Sequence, residues 1–119
     1  MSESDAAIVD LPPAPPRIAA DPVLRKIKAE LARLYGPRLA GVVLYGSRAR
    51  GDHRPDSDID LIALIKGYDR SRDRPPAISV MSQAMAEAGV NVGILLFSED
   101  GLARRTIFMH NVREDGVRL

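Results

Sequence analysis

Asp58 and Asp60 sit one residue apart at the head of an apolar run, "DIDLIALI", in a chain of 119 residues. Aspartate is a poor strand former, so two of them where a buried strand begins call for a chemical reason. Side chains alternate across a strand, which turns Asp58 and Asp60 to one face and Ile59 and Leu61 to the other. The two carboxylates then lie about 6.5–7 Å apart along the chain and repel each other unless a cation sits between them. Hard divalent cations take oxygen ligands, and Mg2+ typically uses one or two carboxylates together with substrate phosphates. The pair suits a Mg2+–nucleotide site, with Asp58 and Asp60 as the metal ligands.

The residues just before them supply a phosphate side. The apolar run "AGVVLY" leads into Gly46 and Ser47, and "RARGDHRPDS" follows. Gly46 lets a ligand come close to the backbone, and Ser47 offers a hydroxyl. If "SRAR" opens a helical turn, its free N–H groups and dipole face an anion. Arg48, Arg50 and Arg54 add positive charge. The structural alternative makes Asp58 a strand-entry cap, Asp60 an edge residue and the arginines their solvated partners. An isolated Asp-x-Asp would favour it. The longer pattern of strand, Gly-Ser, ten residues, Asp-x-Asp and strand favours function.

The elements that must position these residues are legible in outline. Asp21-Pro22 reads as a helix start, with Asp as N-cap and Pro at the first helical position. Val23, Leu24, Ile27, Leu31 and Leu34 follow at helical spacing, and Gly36-Pro37 ends the helix. Residues 39–45 and the run after Asp58 are buried strands. Only a dozen residues join them, too few for a helical crossover, so antiparallel pairing is expected. "KGYDRSRDRPP" reads as a charged loop. Ile78, Met81, Met85 and Ala88 mark a second long helix, closed by Gly89, and "VNVGILLF" is a third strand. Ser98 is expected to start a last helix with Leu102, Ile107, Phe108 and Val112 on its apolar side, and "GVRL" to form a short edge strand. The expected fold is α/β: a small mixed sheet flanked by helices. Residues 1–20 carry four prolines between Pro12 and Pro16 and no amphipathic period, so they read as a disordered tail ahead of one domain over 21–119.

Composition bounds the function classes. Hydrophobic residues make up 45% of the chain, with no tryptophan and two phenylalanines, so the core must be aliphatic. A net charge of +1 argues against a bulk nucleic-acid surface, and nothing in the sequence reads a base. The absence of cysteine excludes disulfides and thiolate metal sites. No apolar run approaches the ~20 residues of a membrane span, and the acidic "MSESDAA" start has no signal core, so the chain reads as cytoplasmic. His53 in the signature loop, His110, Arg104 and Arg105 read as solvated, Met81 and Met85 as core. Tyr45 reads as core, and Ser57 as a hydrogen-bonding partner at the strand entry.

"GSRARGDHRPDSDIDL" resembles the signature of the polymerase-beta-type nucleotidyltransferase superfamily, and the resemblance extends over roughly residues 21–119. The single-domain form is the minimal nucleotidyltransferase (MNT), a class that includes antitoxins paired with HEPN-domain toxins. The resemblance implies transfer of a nucleoside monophosphate, AMP from ATP, to a hydroxyl with pyrophosphate leaving. It assigns Gly46 and Ser47 to phosphate, with Arg48 and Arg50 beside them, and Asp58 and Asp60 to Mg2+, as one ion or a pair. The family usually has a third carboxylate on a later strand. In "GVNVGILLFSED" that place falls at Gly93, or at Asn91 if the register shifts by two, and neither is a carboxylate. Such a chain should bind nucleotide better than it transfers it. Its acceptor site would be completed by a partner protein, such as a HEPN-domain toxin, or by a second copy of the chain. The competing reading is an antitoxin or regulatory subunit of the same fold that neutralises a partner by binding. A small-molecule transferase of the aminoglycoside-modifying kind is a third, though those resemble longer, two-domain chains.

Overall fold

The computed structural model describes residues 10–119. A four-residue helix, α1 (Pro16–Ala19), leads into α2 (Pro22–Tyr35). The α2 start is capped as the sequence implies: Asp21 Oδ1 accepts from the amides of Val23 (2.9 Å) and Leu24 (3.2 Å), satisfying donors that have no partner inside the helix. Leu24, Ile27, Leu31 and Tyr35 form its buried stripe. Leu34, expected on that stripe, is exposed, and Tyr35 takes its place.

Strand β1 (Leu39–Tyr45) runs into α3 (Ser47–Arg50), and a loop returns the chain to β2 (Ile59–Ile65). The long helix α4 (Arg70–Ala88) then crosses over to β3 (Val92–Ser98). Helix α5 (Ile107–Asp115) and the two-residue β4 (Val117–Arg118) close the chain. The sheet order is β3-β2-β1-β4. β1 is antiparallel to β2 and to β4, and β2 is parallel to β3. The expected mixed sheet is therefore present, and the short link between β1 and β2 gives the antiparallel pair that its length requires.

Alternation along the strands makes two cores. Val42, Leu44, Leu61, Ala63, Ile65 and Ile94 pack against α2 and α4 through Leu24, Ile27, Leu31, Val80 and Ala84. On the other face Val43, Ile62 and Leu64 pack with Leu102, Met109 and Val112. The second face is the one that carries Asp60.

Several expectations are corrected. The proline-rich stretch is not a tail over its described part: Leu11 and Ile18 are buried, the Ala14 amide donates to Arg118 O (2.9 Å), and Arg118 N donates to Pro12 O (3.0 Å). Prolines leave this segment extended, and its few apolar side chains suffice to dock it beside β4. Residues 1–9 lie outside the described part.

The charged loop "KGYDRSRDRPP" is largely the start of α4. Asp69 caps it, accepting from Arg72 N (3.0 Å), while the Asp69 amide donates to Asp73 Oδ2 (2.9 Å). Asp73 is buried and takes a two-pronged pair from Arg38 (3.1 and 2.7 Å) and two bonds from Arg72 (3.1 and 3.2 Å). Tyr35 Oη donates to Asp73 O at 2.6 Å. These bonds fix the first turns firmly enough to carry Pro75 and Pro76 inside the helix. The carbonyls of Ser71 and Arg72 that lose a donor belong to exposed residues, which water can reach. Further along α4, Ala77, Val80 and Ala84 are buried whereas Ile78, expected on the apolar side, is exposed.

Ser98 ends β3 rather than starting a helix, because it pairs with Ile65 in the ladder. A short 3-10 turn at Gly101–Ala103 follows, and Thr106 caps α5 by accepting from Met109 N (3.1 Å). Within α5, Met109 and Val112 are the buried pair, while Ile107 is 83% exposed and Phe108 is 38% exposed.

Candidate active site

Antiparallel pairing of β1 and β2 sets Tyr45, the last residue before Gly46, opposite Asp60. The chain leaves β1 through Gly46 at φ 79° and ψ −160°, a conformation that is essentially glycine's alone. A Cβ built on Gly46 would lie 2.8 Å from Asp60 Oδ2. Glycine is thus required for two reasons: the backbone turn, and a carboxylate resting against its Cα. α3 follows at once. Its Ala49 and Arg50 amides donate to Gly46 O (3.1 Å each), so the donors of this turn without an intrahelical acceptor are those of Ser47 and Arg48.

The loop back to β2 is held by its own residues. The Arg54 amide donates to Ser57 Oγ (2.8 Å), and the Ser57 amide to Arg54 O (3.0 Å). Arg48 reaches across to donate to Ser57 O (3.1 and 2.8 Å) and Pro55 O (3.2 Å). The loop therefore returns the chain so that Asp60 rests beside the Gly46 turn, with Asp58 two residues ahead of it. Asp58 is exposed, just ahead of β2, and Asp60 is half-buried as the second residue of β2.

Burial, and then the charge of Asp58, hold the Asp60 carboxyl above its ordinary pKa. Burial likewise raises the Tyr45 hydroxyl, with Asp60 adding to it. A cation placed beside Asp60 would favour its ionised form. Asp58, just ahead of β2, and Asp60, within it, are two anionic oxygen donors of the kind that can hold a divalent ion together with phosphate.

Among the sequence-predicted residues, Gly46 is brought against Asp60, Ser47 follows Gly46 as the first residue of α3, and the charge of Asp58 is felt at Asp60. Arg48 lies with them but spends its guanidinium on loop carbonyls. Arg50 turns away, paired with Asp52 (3.1 Å) and near Asp115 (3.5 Å). Arg54 is exposed. His53, expected to be solvated, is half-buried, and its Nδ1 is buried with no hydrogen-bond partner among the described residues.

The strand register separates the two places weighed for a third carboxylate. Asp60 is directly paired with Gly93 on β3, and parallel neighbours share a face. Asn91 lies before β3, where its carbonyl accepts from Ile59 N (2.9 Å), and it borders a shallow cleft of about 430 Å3 with Asp56 and Asp58. Gly93 is the neighbour of Asp60, and a Cβ built on it meets nothing within 4 Å.

Sequence spacing did not reveal the aromatic wall on the same face. The Tyr45 and Phe108 rings meet edge to face at 5.5 Å, Phe97 lies 6.5 Å from Phe108, and the Arg104 guanidinium stands 5.8 Å over Phe97. The three rings come from β1, β3 and α5, so only the folded chain assembles them.

The mixed sheet with its helices is the polymerase-beta-type nucleotidyltransferase fold in its minimal form. The chain belongs to the nucleotidyltransferase domain family, whose model matches residues 24–109. It is 23% identical over 97 residues to the Methanocaldococcus jannaschii protein named "Putative protein adenylyltransferase MJ0141", covering 82% of this chain and 95% of that one. Two crystal structures share the fold. A toxin–antitoxin with AMP-PNP superposes with a TM-score of 0.56 at 19% identity, over 78% of this chain and 69% of the other. A variant of the toxin–antitoxin MntA-HpeT superposes with a TM-score of 0.58 at 19% identity, over 79% and 69%.

Proposed function

We propose that this nucleotidyltransferase domain transfers AMP from ATP to a hydroxyl of a partner protein, with divalent metal ions as cofactors. One observation carries the reading: Asp60 rests against the Gly46 turn, so a carboxylate and a glycine turn that a ligand can approach share one surface. Asp58 and Asp60 would hold Mg2+, which when bound neutralises triphosphate charge. Gly46 and Ser47 would seat the phosphates. The acceptor oxygen attacks the α-phosphorus, the bond from that phosphorus to the bridging oxygen breaks, pyrophosphate leaves, and the acceptor's proton passes to solvent. Such transfer depends mainly on positioning and charge neutralisation, which is what this set of residues offers.

The name of the archaeal relative supports protein adenylylation. The toxin–antitoxin names of the fold neighbours support a toxin as partner, and a HEPN-domain toxin is our choice. Among the described residues no helix is long and apolar enough to cross a membrane, and we assign the reaction to the cytoplasm, where ATP is supplied.

A second reading is favoured by Gly93. With glycine paired to Asp60, the face lacks a third carboxylate at the register position where one would reach the same ion. A chain of this kind holds nucleotide well, transfers slowly, and neutralises its partner chiefly by binding. Incubation with α-labelled ATP, Mg2+ and a co-expressed partner separates the two. Label on the partner that disappears in Asp58→Asn/Asp60→Asn supports transfer. A tight complex with no label supports neutralisation by binding.

A further inference from the structure

We propose that Arg17 is a positioning residue for the nucleotide loop, an inference that rests on reading Gly46–Asp60 as the nucleotide site. Arg17 lies on α1, about thirty residues before the loop in sequence. Its Nη1 donates to Arg48 O and its Nη2 to Ala49 O, both at 3.1 Å. Those carbonyls belong to the end of α3, which has four residues. A helix so short cannot pay its nucleation cost alone, and its last carbonyls have no acceptor role inside the helix. A guanidinium that bonds two of them supplies what the turn lacks, and its charge matches the negative end of the turn.

The neighbouring residue on the loop is shaped for this contact. Gly51 ends α3 at φ +87°, and a Cβ built there would lie 3.2 Å from Arg17 Nη2. A side chain at 51 would crowd the guanidinium. Arg17 is itself held in place, because Ile18 is buried in the core. The segment before it is tied to β4 by Ala14 N to Arg118 O (2.9 Å) and Arg118 Nε to Leu11 O (3.0 Å). β4 pairs with β1, the strand that feeds the loop. Loop, Arg17, N-terminal segment, β4 and β1 thus form a closed ring of contacts. Such a ring orders the loop before a ligand arrives, so binding does not have to bear that ordering entropy.

The test compares Arg17→Ala and Arg17→Lys with the wild type, using Ile27→Val as a control for modest loss of stability. Two quantities are read: affinity for ATP–Mg2+, and amide hydrogen exchange at Gly51 and Asp52, which donate to Ser47 O (2.9 and 3.2 Å). Arg17→Ala is expected to weaken ATP–Mg2+ about tenfold, on the scale of one or two charge-assisted hydrogen bonds, and to speed exchange at both amides. Arg17→Lys, with one ammonium for two carbonyls, should fall between. Ile27→Val should change neither. Wild-type exchange in Arg17→Ala overturns the clamp, whatever the nucleotide does. Faster exchange with unchanged affinity overturns the positioning role and leaves a purely structural contact. A wild-type chain that binds no ATP–Mg2+ overturns the functional reading instead, and with it the role given to Arg17.

Discussion

Asp60 carries a conflict that a cation would resolve. Its carboxyl is half-buried, faces the charge of Asp58 and has its pKa raised for those two reasons. The sign of the pH effect follows. A carboxyl with a raised folded pKa contributes stability that is fully present below the unfolded value of about 3.9 and is lost as pH rises through the folded value. At neutral pH in chelator, Asp60→Asn should therefore melt at or above the wild-type temperature, and the difference should shrink as pH falls toward 4. Melting curves in EDTA across pH 4–8 check this; a large loss of stability in Asp60→Asn at pH 7 would mean that the carboxylate is structural. Gly46 makes the complementary prediction. Gly46→Ala places a Cβ 2.8 Å from Asp60 Oδ2 at a backbone angle that disfavours it, so a stability cost of about 1–3 kcal/mol is expected together with loss of ATP–Mg2+ affinity. Denaturant melts and calorimetry on the same sample measure both. The sequence made Gly46 a residue for phosphate approach; its contact with Asp60 was hidden because fourteen positions separate the two, and only the β1–β2 register brings them together.

At the scale of elements, β1, β2 and β3 were legible because an apolar run stood between turn residues. The start of α4 was not, because Pro75 and Pro76 argue for a loop and the bonds that outweigh them converge from three segments. Arg38 follows α2, Tyr35 ends α2, and Asp73 meets both only after folding. Asp73→Ala should cost about 2–4 kcal/mol, near the range for breaking a buried pair and reduced because both arginines reach solvent. Its pKa is held far below the ordinary carboxylate range, chiefly by Arg72 and Arg38. That stability is present above the unfolded value of about 3.9 and is lost as pH falls toward the depressed folded one, so the wild-type advantage over Asp73→Ala should narrow in acid. An unchanged gap between the two melting temperatures from pH 7 to pH 3 would contradict it. The last helix was misplaced for a similar reason: Ser98 looks like a cap, but its place in the β3 ladder commits it to the sheet, and Thr106 takes the role. Strand β3 also carries the prediction for Gly93. Its Cβ direction is open, so Gly93→Asp should fold normally, leave ATP–Mg2+ affinity nearly unchanged and raise the rate of label transfer. A rate that stays flat in a folded Gly93→Asp would show that this register position does not limit the chemistry.

Taken as a whole molecule, the domain extends further toward the N-terminus than the proline content implied. Removing residues 1–20 strips away two buried side chains, Leu11 and Ile18, each worth about 1.5–3 kcal/mol by burial. The truncated chain should unfold at clearly lower denaturant than the full chain, and equal midpoints would show that the segment only leans on the fold. The exposed apolar residues Leu95, Ile107 and Phe108 could not be told from core residues in the sequence, since helical and strand periodicity mark a face but not what covers it. Titration calorimetry of ATP with and without Mg2+ decides whether Gly46, Ser47, Asp58 and Asp60 form one Mg2+-dependent nucleotide site, as proposed. Saturable binding that needs Mg2+ is expected of the wild type, and none of Asp58→Asn/Asp60→Asn, whose melting temperature in chelator is no lower. Equal ATP–Mg2+ affinity in the wild type and the folded double variant would contradict it.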